Sequence, residues 1–476
     1  MFEMLDYSNK KVPEISLKQL EPKVLLLIIV LFMFSLGGIG FIAVSVSPQN
    51  ILLIIMFTLL IIFPLIRYIQ TKDFFDTFQI ISFGCIFYYV FGGLYLQIVG
   101  TDLGNPDLTG VYLCVIFGYL FFCVAYYSRL GGGVLKLLPR MRTQVNRSRL
   151  VYLACAFLIL SILASLYFGL IEVRLYPTVA GLLKNIGHLS KLSTLLFLAN
   201  YLLKPNRKTL LLLFFAVGVA LCYEFIIFEA ERRTTLRWIV TMLVYWHYRR
   251  SRFKLRTLLI LGAAGLALMF SLKIVSGFYH FPRSQWSPDL FSEITDRYMN
   301  RFDNPKIGIA RSLEAPGAVE NFAEVIRQVN SGQIDLLWGT SYYRLLFIFM
   351  PREIWPDKPL HIGRQIPVLV TSSSGAGAQP VTLMGEMYLN FGYIGILVNM
   401  ALIGIMCKFF YLLLTKNKQQ DSLPAVPATL VYAVTVGFLL QSFRGGFHMI
   451  VLEYVIFNMF PLLLGMKYFM RRPRHL

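Results

Sequence analysis

Charged residues are scarce in this sequence. Only 15% of its 476 residues are Asp, Glu, Lys or Arg, whereas a soluble chain carries about a quarter. Hydrophobic residues make up 57% of the chain. They occur in runs long enough to cross a bilayer as helix, which takes roughly 20 residues. This composition excludes an ordinary soluble protein and predicts an all-α polytopic membrane protein.

Cysteine and histidine are also few, with six of each. All the cysteines fall inside apolar runs, where they are typical packing residues, and they offer no disulfide for a loop. The histidines form no two-histidine ligand pair on a helix. We therefore expect no metal site and no cofactor. The cysteines are Cys85, Cys114, Cys123, Cys155, Cys222 and Cys407.

The apolar runs predict about twelve transmembrane helices, within a range of about eleven to thirteen. The run at 180–203 is the weakest, because Lys184, His188 and Lys191 interrupt it. About 20 polar residues precede the first apolar run, and that run is longer than the core of a signal peptide and lacks a small-residue cleavage site, which predicts a retained first helix. The predicted spans are 24–46, 50–67, 78–99, 110–128, 150–170, 180–203, 209–228, 234–248, 256–277, 383–414, 425–443 and 448–469.

Basic residues concentrate in alternate loops, which is the usual mark of the cytoplasmic side. Loops 129–149 and 249–256 are rich in Lys and Arg, whereas 47–49 and 99–109 contain none. This pattern predicts that both termini are cytoplasmic. Much of the +20 net charge is then a topology signal and a contact with anionic lipid. We therefore expect membrane lipids, and not nucleic acid, as partners.

One long loop, 278–382, joins the ninth and tenth predicted spans on the extracytoplasmic side. Long loops without a role are uncommon, so we expect a folded lid with short helices. Its apolar stretch 342–350 is too short to span and predicts a helix at the membrane surface. The chain thus divides into a region of about nine helices (1–277), the loop, and a region of about three helices (383–476).

A proline-rich segment follows that stretch. Three prolines within 351–359 forbid a helix and hold the chain extended, and Trp355 suits the membrane interface. Arg352 and Lys358 lie on this stiff segment. Two interpretations stay open: a rigid loop with solvated charges, or a preset clamp for an anion or a sugar.

The tenth predicted span opens with a carboxylate, Glu386. A carboxylate inside an apolar helix is unfavourable unless it is paired or hydrated. We expect Glu386 to act as a general base or to orient a sugar, or else to form a structural pair with an arginine.

Cations on several other elements are expected at the same outer face. A single charge near a helix end commonly extends to the lipid headgroups, but arginine and lysine also bind phosphate oxygens. An outward cavity lined by such groups would suit a lipid-linked diphosphate. Lys184, His188 and Lys191 share one predicted helical face, and Arg444 lies in a predicted tight turn at 443–448. The candidate cations are Lys191, Arg232, Arg233, Lys273 and Arg444.

Two local motifs carry a resemblance to a known family. The Ile-Trp-Pro-Asp-Lys-Pro core of 351–359 resembles the loop signature of Wzy-type O-antigen polymerases, the oligosaccharide repeat unit polymerases. The Gly-Glu-x-Tyr-x-Asn-Phe-Gly element at 385–392 resembles the helix start after that loop, and the candidate cations fall in similar places. One departure is that Gly445 and Gly446 follow Arg444, where related proteins can carry an acid. A catalytic acid must then come from elsewhere, with Glu386 or His448 as candidates.

The resemblance implies a metal-independent glycosyltransferase with a GT-C-like polymerase or ligase architecture in the bacterial inner membrane, its active site facing the periplasm. The growing glycan would pass from undecaprenyl diphosphate to the non-reducing end of an incoming lipid-linked repeat unit. Glu386 or His448 would be the base. Arg352 and the candidate cations would stabilise the departing diphosphate. Lys358, Tyr388 and Trp355 would contact substrate, and a chain-length regulator is a candidate partner.

Three alternatives remain. An O-antigen ligase, or another outer-leaflet lipid-linked glycosyltransferase, shares the topology and the long loop, in which His280 and His361 are available. A lipid-linked oligosaccharide flippase has as many spans, but its loops are short on both sides. A non-catalytic export scaffold explains the topology but not the inward-placed cations.

Overall fold

Every regular element in the described part of the chain is a helix, as the composition predicts. The predicted first span at 24–46 lies outside the described residues, as does most of the proline-rich segment. The computed structural model describes residues 47–99, 106–137, 145–170, 183, 185–226, 232–278, 287–299, 315–347, 350, 354–355, 358, 365, 380–417 and 425–469.

Sixteen α-helices and two π-helices are described. The α-helices are α1 (Pro48–Thr71), α2 (Thr77–Cys85), α3 (Gly92–Val99), α4 (Thr109–Tyr127), α5 (Leu130–Leu137), α6 (Arg147–Leu170), α7 (Leu189–Leu203), α8 (Arg207–Ile226), α9 (Arg232–Arg249), α10 (Leu255–Phe278), α11 (Pro288–Met299), α12 (Ala315–Asn330), α13 (Thr340–Leu346), α14 (Leu383–Lys416), α15 (Val426–Met449) and α16 (Phe460–Phe469). The π-helices are π1 (Ile86–Phe91) and π2 (Ile450–Met459).

Eight helical stretches in the described residues are long and apolar enough to cross a membrane. They correspond to eight of the predicted spans, so the chain is a multi-pass membrane protein. Helix α7 is shorter than its predicted span at 180–203, because a turn at Gly187 and His188 precedes Leu189. That turn interrupts the helical face predicted for His188 and Lys191, while Lys184 lies outside the described residues.

The last helices contain two breaks, of which only the first was not predicted. Helix α14 is broken at Phe391 and Gly392, where Gly392 has φ 62° and ψ −150°. The second break, at Gly446, lies within the predicted tight turn at 443–448 and has φ 66° and ψ −170°. The chain folds back there, since Thr435 and Tyr454 on opposite sides of the break are hydrogen-bonded at 2.8 Å. A positive φ is open to glycine without steric cost, so both breaks occur at residues that tolerate them.

Two apolar cores hold the bundle together. The first unites α1 to α4 with α12 and the start of α14, and it includes Phe122, Phe322 and Tyr388. The second unites α6 to α9 with α15, π2 and the far half of α14. Because α14 and α15 contribute to both sides, they join the two halves of the molecule. Helix α12, from the predicted loop, is therefore buried within the first core.

The ends of the helices define two ends of the bundle. The loop end carries the start of α9 at Arg232, the start of α14 after Thr382, and the break at Gly446. The opposite end carries Lys72, just after α1, and Lys416, the last residue of α14. Helices α9 and α15 run in opposite directions between these ends, since Arg237 contacts Gln441 at one end and Tyr248 contacts Tyr432 at the other.

Candidate functional site

The carboxylate of Glu386 is buried at the loop end, with 1% of the residue exposed. It lies in the first turn of α14, four residues after Thr382, which caps the helix. The Thr382 hydroxyl accepts a hydrogen bond from Gly385 N at 3.1 Å, which satisfies one of the free donors at a helix start. This cap places the Glu386 side chain where α13, α14 and α15 meet.

Both carboxylate oxygens accept hydrogen bonds from other elements. The Ser341 hydroxyl of α13 donates to Oε1 at 2.9 Å, and the Phe447 backbone N–H donates to Oε2 at 2.7 Å. Asn390 in turn donates to the Ser341 oxygen at 2.8 Å. The charge of Arg344, also on α13, acts on Glu386. The loop helix and the broken helix are thus tied to one buried acid.

The break at Gly446 makes this contact possible. A Cβ at position 446 would overlap the Oε2 atom of Glu386. The break also frees the Phe447 N–H from the helix, because the residue before it no longer has helical dihedrals. Free N–H groups at a helix start favour negative charge. Only glycine at 446 provides both the space and the backbone conformation.

The second helix break lies beside the first. Leu337 N donates to Leu389 O at 2.9 Å and Trp338 N donates to Asn390 O at 3.0 Å, so the chain before α13 binds the last carbonyls ahead of the break in α14. The ring of Tyr342 contacts both Phe391 and Phe447, with centroids 5.9 and 4.9 Å apart. Helix α13 therefore packs against both breaks.

A second charged cluster surrounds Arg237 on α9, which is 5% exposed. Its Nη1 donates to Gln441 Oε1 at 2.5 Å and forms an ion pair with Glu453 of π2. The guanidinium also lies over the Phe438 ring, 4.1 Å from the centroid. Arg237 thus contacts the helix on each side of the Gly446 break.

A third cluster surrounds Lys191 on α7, which is 6% exposed. Its Nζ lies 2.5 Å from Glu224 Oε2 on α8. The hydroxyls of Thr234 and Thr235, at the start of α9, donate to the other oxygen of Glu224. Lys191 and Arg237 line one small cavity, so these two clusters are neighbours.

The remaining predicted site residues lie at several places. Tyr388 OH donates to Asn330 of α12 at 3.0 Å, and Lys358 Nζ donates to Met350 O at 2.9 Å. Trp355 packs its ring against Tyr343 and Phe347. These contacts connect the loop to itself and to α14.

The predicted cations are only partly described. Arg232 and Arg233 begin α9, and Arg444 lies on α15 just before the break; all three are half-buried. Arg352 lies outside the described residues, as do the side chains of Lys273 and His448. The convergence of these groups on a diphosphate therefore stays a prediction.

Four residues of the site were missed by the sequence interpretation: Ser341, Glu224, Arg237 and Glu453. The last three are charged groups inside or at the edge of apolar runs, which is the signal that singled out Glu386. The same criterion, applied to every apolar run, would have identified these three residues. Ser341 carries no such signal, because a lone serine is unremarkable in a loop.

The arrangement around Glu386 suits proton transfer. A carboxylate has about four lone-pair positions, and the described bonds from Ser341 and Phe447 occupy two of them. Because the residue is only 1% exposed, a substrate hydroxyl would reach the carboxylate by replacing one of these donors. In the described part of the chain, no group of three or more His, Cys, Asp or Glu residues could hold a metal ion.

The chain was compared with protein-family models, with curated proteins and with solved structures. None of the three comparisons finds a match.

Proposed function

We propose that this protein polymerises lipid-linked oligosaccharide repeat units at the outer face of the bacterial inner membrane. The observation that supports the proposal is the buried Glu386 carboxylate, held between a helix of the long loop and the break in α15. It adds to the resemblance of 351–359 and 385–392 to repeat unit polymerases. A structural acid needs no spare acceptor positions, whereas a general base does.

In the proposed reaction, Glu386 takes the proton from a hydroxyl at the non-reducing end of the acceptor repeat unit. The hydroxyl oxygen attacks the anomeric carbon of the growing glycan. The bond from that carbon to undecaprenyl diphosphate breaks, and the electron pair leaves with the diphosphate. In this proposal the half-buried cations Arg232, Arg233 and Arg444 stabilise the developing charge. The proton stays on Glu386 until it is released to water.

Access to Glu386 requires α13 to move. This helix has seven residues and covers the carboxylate with Ser341, while Tyr343 and Leu346 face outward. So short a helix has little stability of its own. We propose that the described arrangement is the closed one, and that an incoming sugar replaces the Ser341 hydroxyl at Oε1.

The distribution of charge supports placing the proposed reaction outside the cytoplasm. The basic segments around Arg249 and Lys416 lie at the end opposite Glu386. Short basic loops favour the cytoplasmic side, which would leave the loop end facing the periplasm. Both lipid-linked substrates would then approach from the outer leaflet.

A gene deletion with complementation tests the proposal. The deletion strain should make surface polysaccharide with core plus a single repeat, and the wild-type gene should restore the ladder. Glu386→Gln, which keeps the shape of the side chain, should express and fold but not restore it. Wild-type ladders in the deletion strain would remove the proposal, and core without any repeat would indicate a ligase or a flippase.

A flippase is the second candidate, because two broken helices meet at α13. In transporters, discontinuous helices line substrate sites through the freed ends of the half-helices. The breaks at Gly392 and Gly446 fit that pattern. The same gel separates the two functions, since loss of a flippase leaves no repeat on the core.

A further inference from the structure

Helix α15 and π2 form one continuous segment that changes direction at Gly446. The Phe447 N–H, which binds Glu386, is the first donor after this break. Its direction depends on the angle between the two halves of the segment. Glycine alone does not set that angle, because a residue without Cβ permits many conformations. Something else must hold the halves in place.

Arg237 bonds both halves. Its Nη1 donates to Gln441 on the near side of the break and pairs with Glu453 on the far side. Gln441 lies six residues before Phe447, about 9 Å along a helix axis. A guanidinium is planar and presents its donors in a fixed geometry. A pair of bonds to it therefore fixes a distance and an angle between the two halves.

The surroundings of Arg237 leave it little freedom. Its guanidinium lies over Phe438. Gly437 brings α15 so close to α9 that a Cβ there would lie 3.0 Å from the Arg237 carbonyl oxygen. On the far side, Asn458 donates to Glu453 O at 2.7 Å, which ties the widened π2 turn to itself. Contacts to both its backbone and its guanidinium thus restrict the movement of the buried arginine.

We propose that Arg237 is a positioning residue for Glu386. It holds the two halves of the broken helix together, and so keeps the Phe447 N–H directed at the carboxylate. The catalytic consequence rests on the proposed polymerase function, but the geometric one does not. Arg237 itself need not contact substrate.

Carbodiimide labelling measures the geometric consequence. Dicyclohexylcarbodiimide reacts with protonated carboxyl groups in apolar surroundings, and mass spectrometry reports the rate at each residue. In Arg237→Ala, Glu386 loses a held donor and becomes more open, so its labelling should be about tenfold faster than in the wild type. Asp76, a buried acid at the opposite end, serves as the internal reference and should keep its rate.

Three further variants guard against a fold defect. Arg237→Lys keeps the charge opposite Glu453 but loses the planar guanidinium, so its labelling rate should lie between the wild type and Arg237→Ala. Gln441→Ala removes one arm without leaving a buried charge unpaired, and it should increase labelling by a smaller factor. Arg67→Lys, at the equally buried arginine of the opposite end, should leave Glu386 labelling unchanged.

The outcomes separate the two proposals. Unchanged Glu386 labelling in Arg237→Ala and Gln441→Ala overturns the positioning role. So does a parallel rise at Glu386 and Asp76, which indicates general unfolding. In a polymerisation assay, Arg237→Lys should lower kcat far more than it changes KM. If the wild type makes no polymer, the proposed function fails while the labelling comparison still decides the role of Arg237.

Discussion

Two buried clusters of charge, one at each end of the bundle, use the same residue types in different ways. At the opposite end, Arg67 Nε lies 2.7 Å from Asp76 Oδ2, and Tyr126 OH closes the group by donating to Asp76 at 2.7 Å. The helices that these three residues join, α1, α2 and α4, contain no such break, and Asp76 lies in the short connection between α1 and α2. At the loop end, the acid Glu386 lies against two broken helices and a seven-residue helix.

The difference separates a structural lock from a candidate reaction site. The Arg67 cluster joins α1, α2 and α4 through side chains whose groups are mutually satisfied. Satisfied buried networks make a single packing arrangement rigid. The Glu386 cluster instead depends on backbone donors from a break and on a short, half-exposed helix. Such an arrangement can exchange one of its partners for a ligand.

The largest effect should come from removing the acid at the loop end. Glu386→Gln should lower the rate of polymer formation about 10²- to 10⁴-fold, the usual contribution of a general base. Amounts of folded protein should stay close to the wild type, as measured by size-exclusion chromatography in detergent. The counterpart Asp76→Asn should do the reverse, with lower folded yield and a normal rate per folded molecule. If the two variants changed folded yield and rate in the same way, the distinction between the two clusters would be wrong.

The next largest effect should be a loss of stability when the ion pair between Arg67 and Asp76 is removed. Arg67→Ala leaves the buried Asp76 without its counter-charge, which destabilises proteins by about 3–5 kcal/mol. The thermal unfolding midpoint of the purified protein should fall sharply. Arg67→Lys, which keeps the charge, should lose less. An Arg67→Ala protein with the wild-type midpoint would show that this cluster is not a lock.

The pH dependence of the opposite end gives a third test. Burial, together with the charge of Asp76, raises the pKa of the Asp73 carboxyl to about 6, so the folded protein binds a proton there that the unfolded chain has released. Folding stability should therefore fall as pH rises from about 4 to 6, by about 3 kcal/mol in total, and then level off. Asp73→Asn should remove this slope from a pH series of unfolding midpoints. A slope that persists in the variant would assign it to another group.

The smallest effect should come from the helix caps. Thr382→Ala removes the cap beside Glu386 and should cost about 1 kcal/mol of stability, along with part of the activity. Ser47→Ala removes the corresponding cap of α1, where the hydroxyl accepts from Asn50 N at 3.3 Å, and should cost a similar stability but no activity. Thermal midpoints and polymer yields should be measured on both variants. A loss of activity in Ser47→Ala, or full activity in Thr382→Ala, would contradict the prediction.

The positions of the membrane helices could be predicted because lipid imposes a simple length and composition. Helices α1 and α8 match the predicted runs 50–67 and 209–228 to within a few residues at most of their ends. The failures occurred where packing overrides composition. The break at Phe391 and Gly392 lies in a stretch whose apolar character predicts an unbroken helix.

The candidate site could be predicted only in part, for the same physical reason. A carboxylate is unusual in an apolar run, so the sequence alone identified Glu386 as a candidate. Its partners depend on tertiary structure: Ser341, which donates to the carboxylate, lies 45 residues away in sequence, and no local pattern pairs the two. The donor from Phe447 is a backbone group, which leaves no trace in side-chain chemistry.

The ten residues of π2, Ile450–Met459, have a consequence for insertions and deletions. A π-helix turn holds more residues than an α-turn, because its hydrogen bonds reach from residue i to i+5. Removing one residue here would rotate everything that follows by about 100° around the helix axis. Helix α16 would then lose its packing against α6. In related proteins, alignment gaps should therefore fall outside these ten residues, even where their side chains vary.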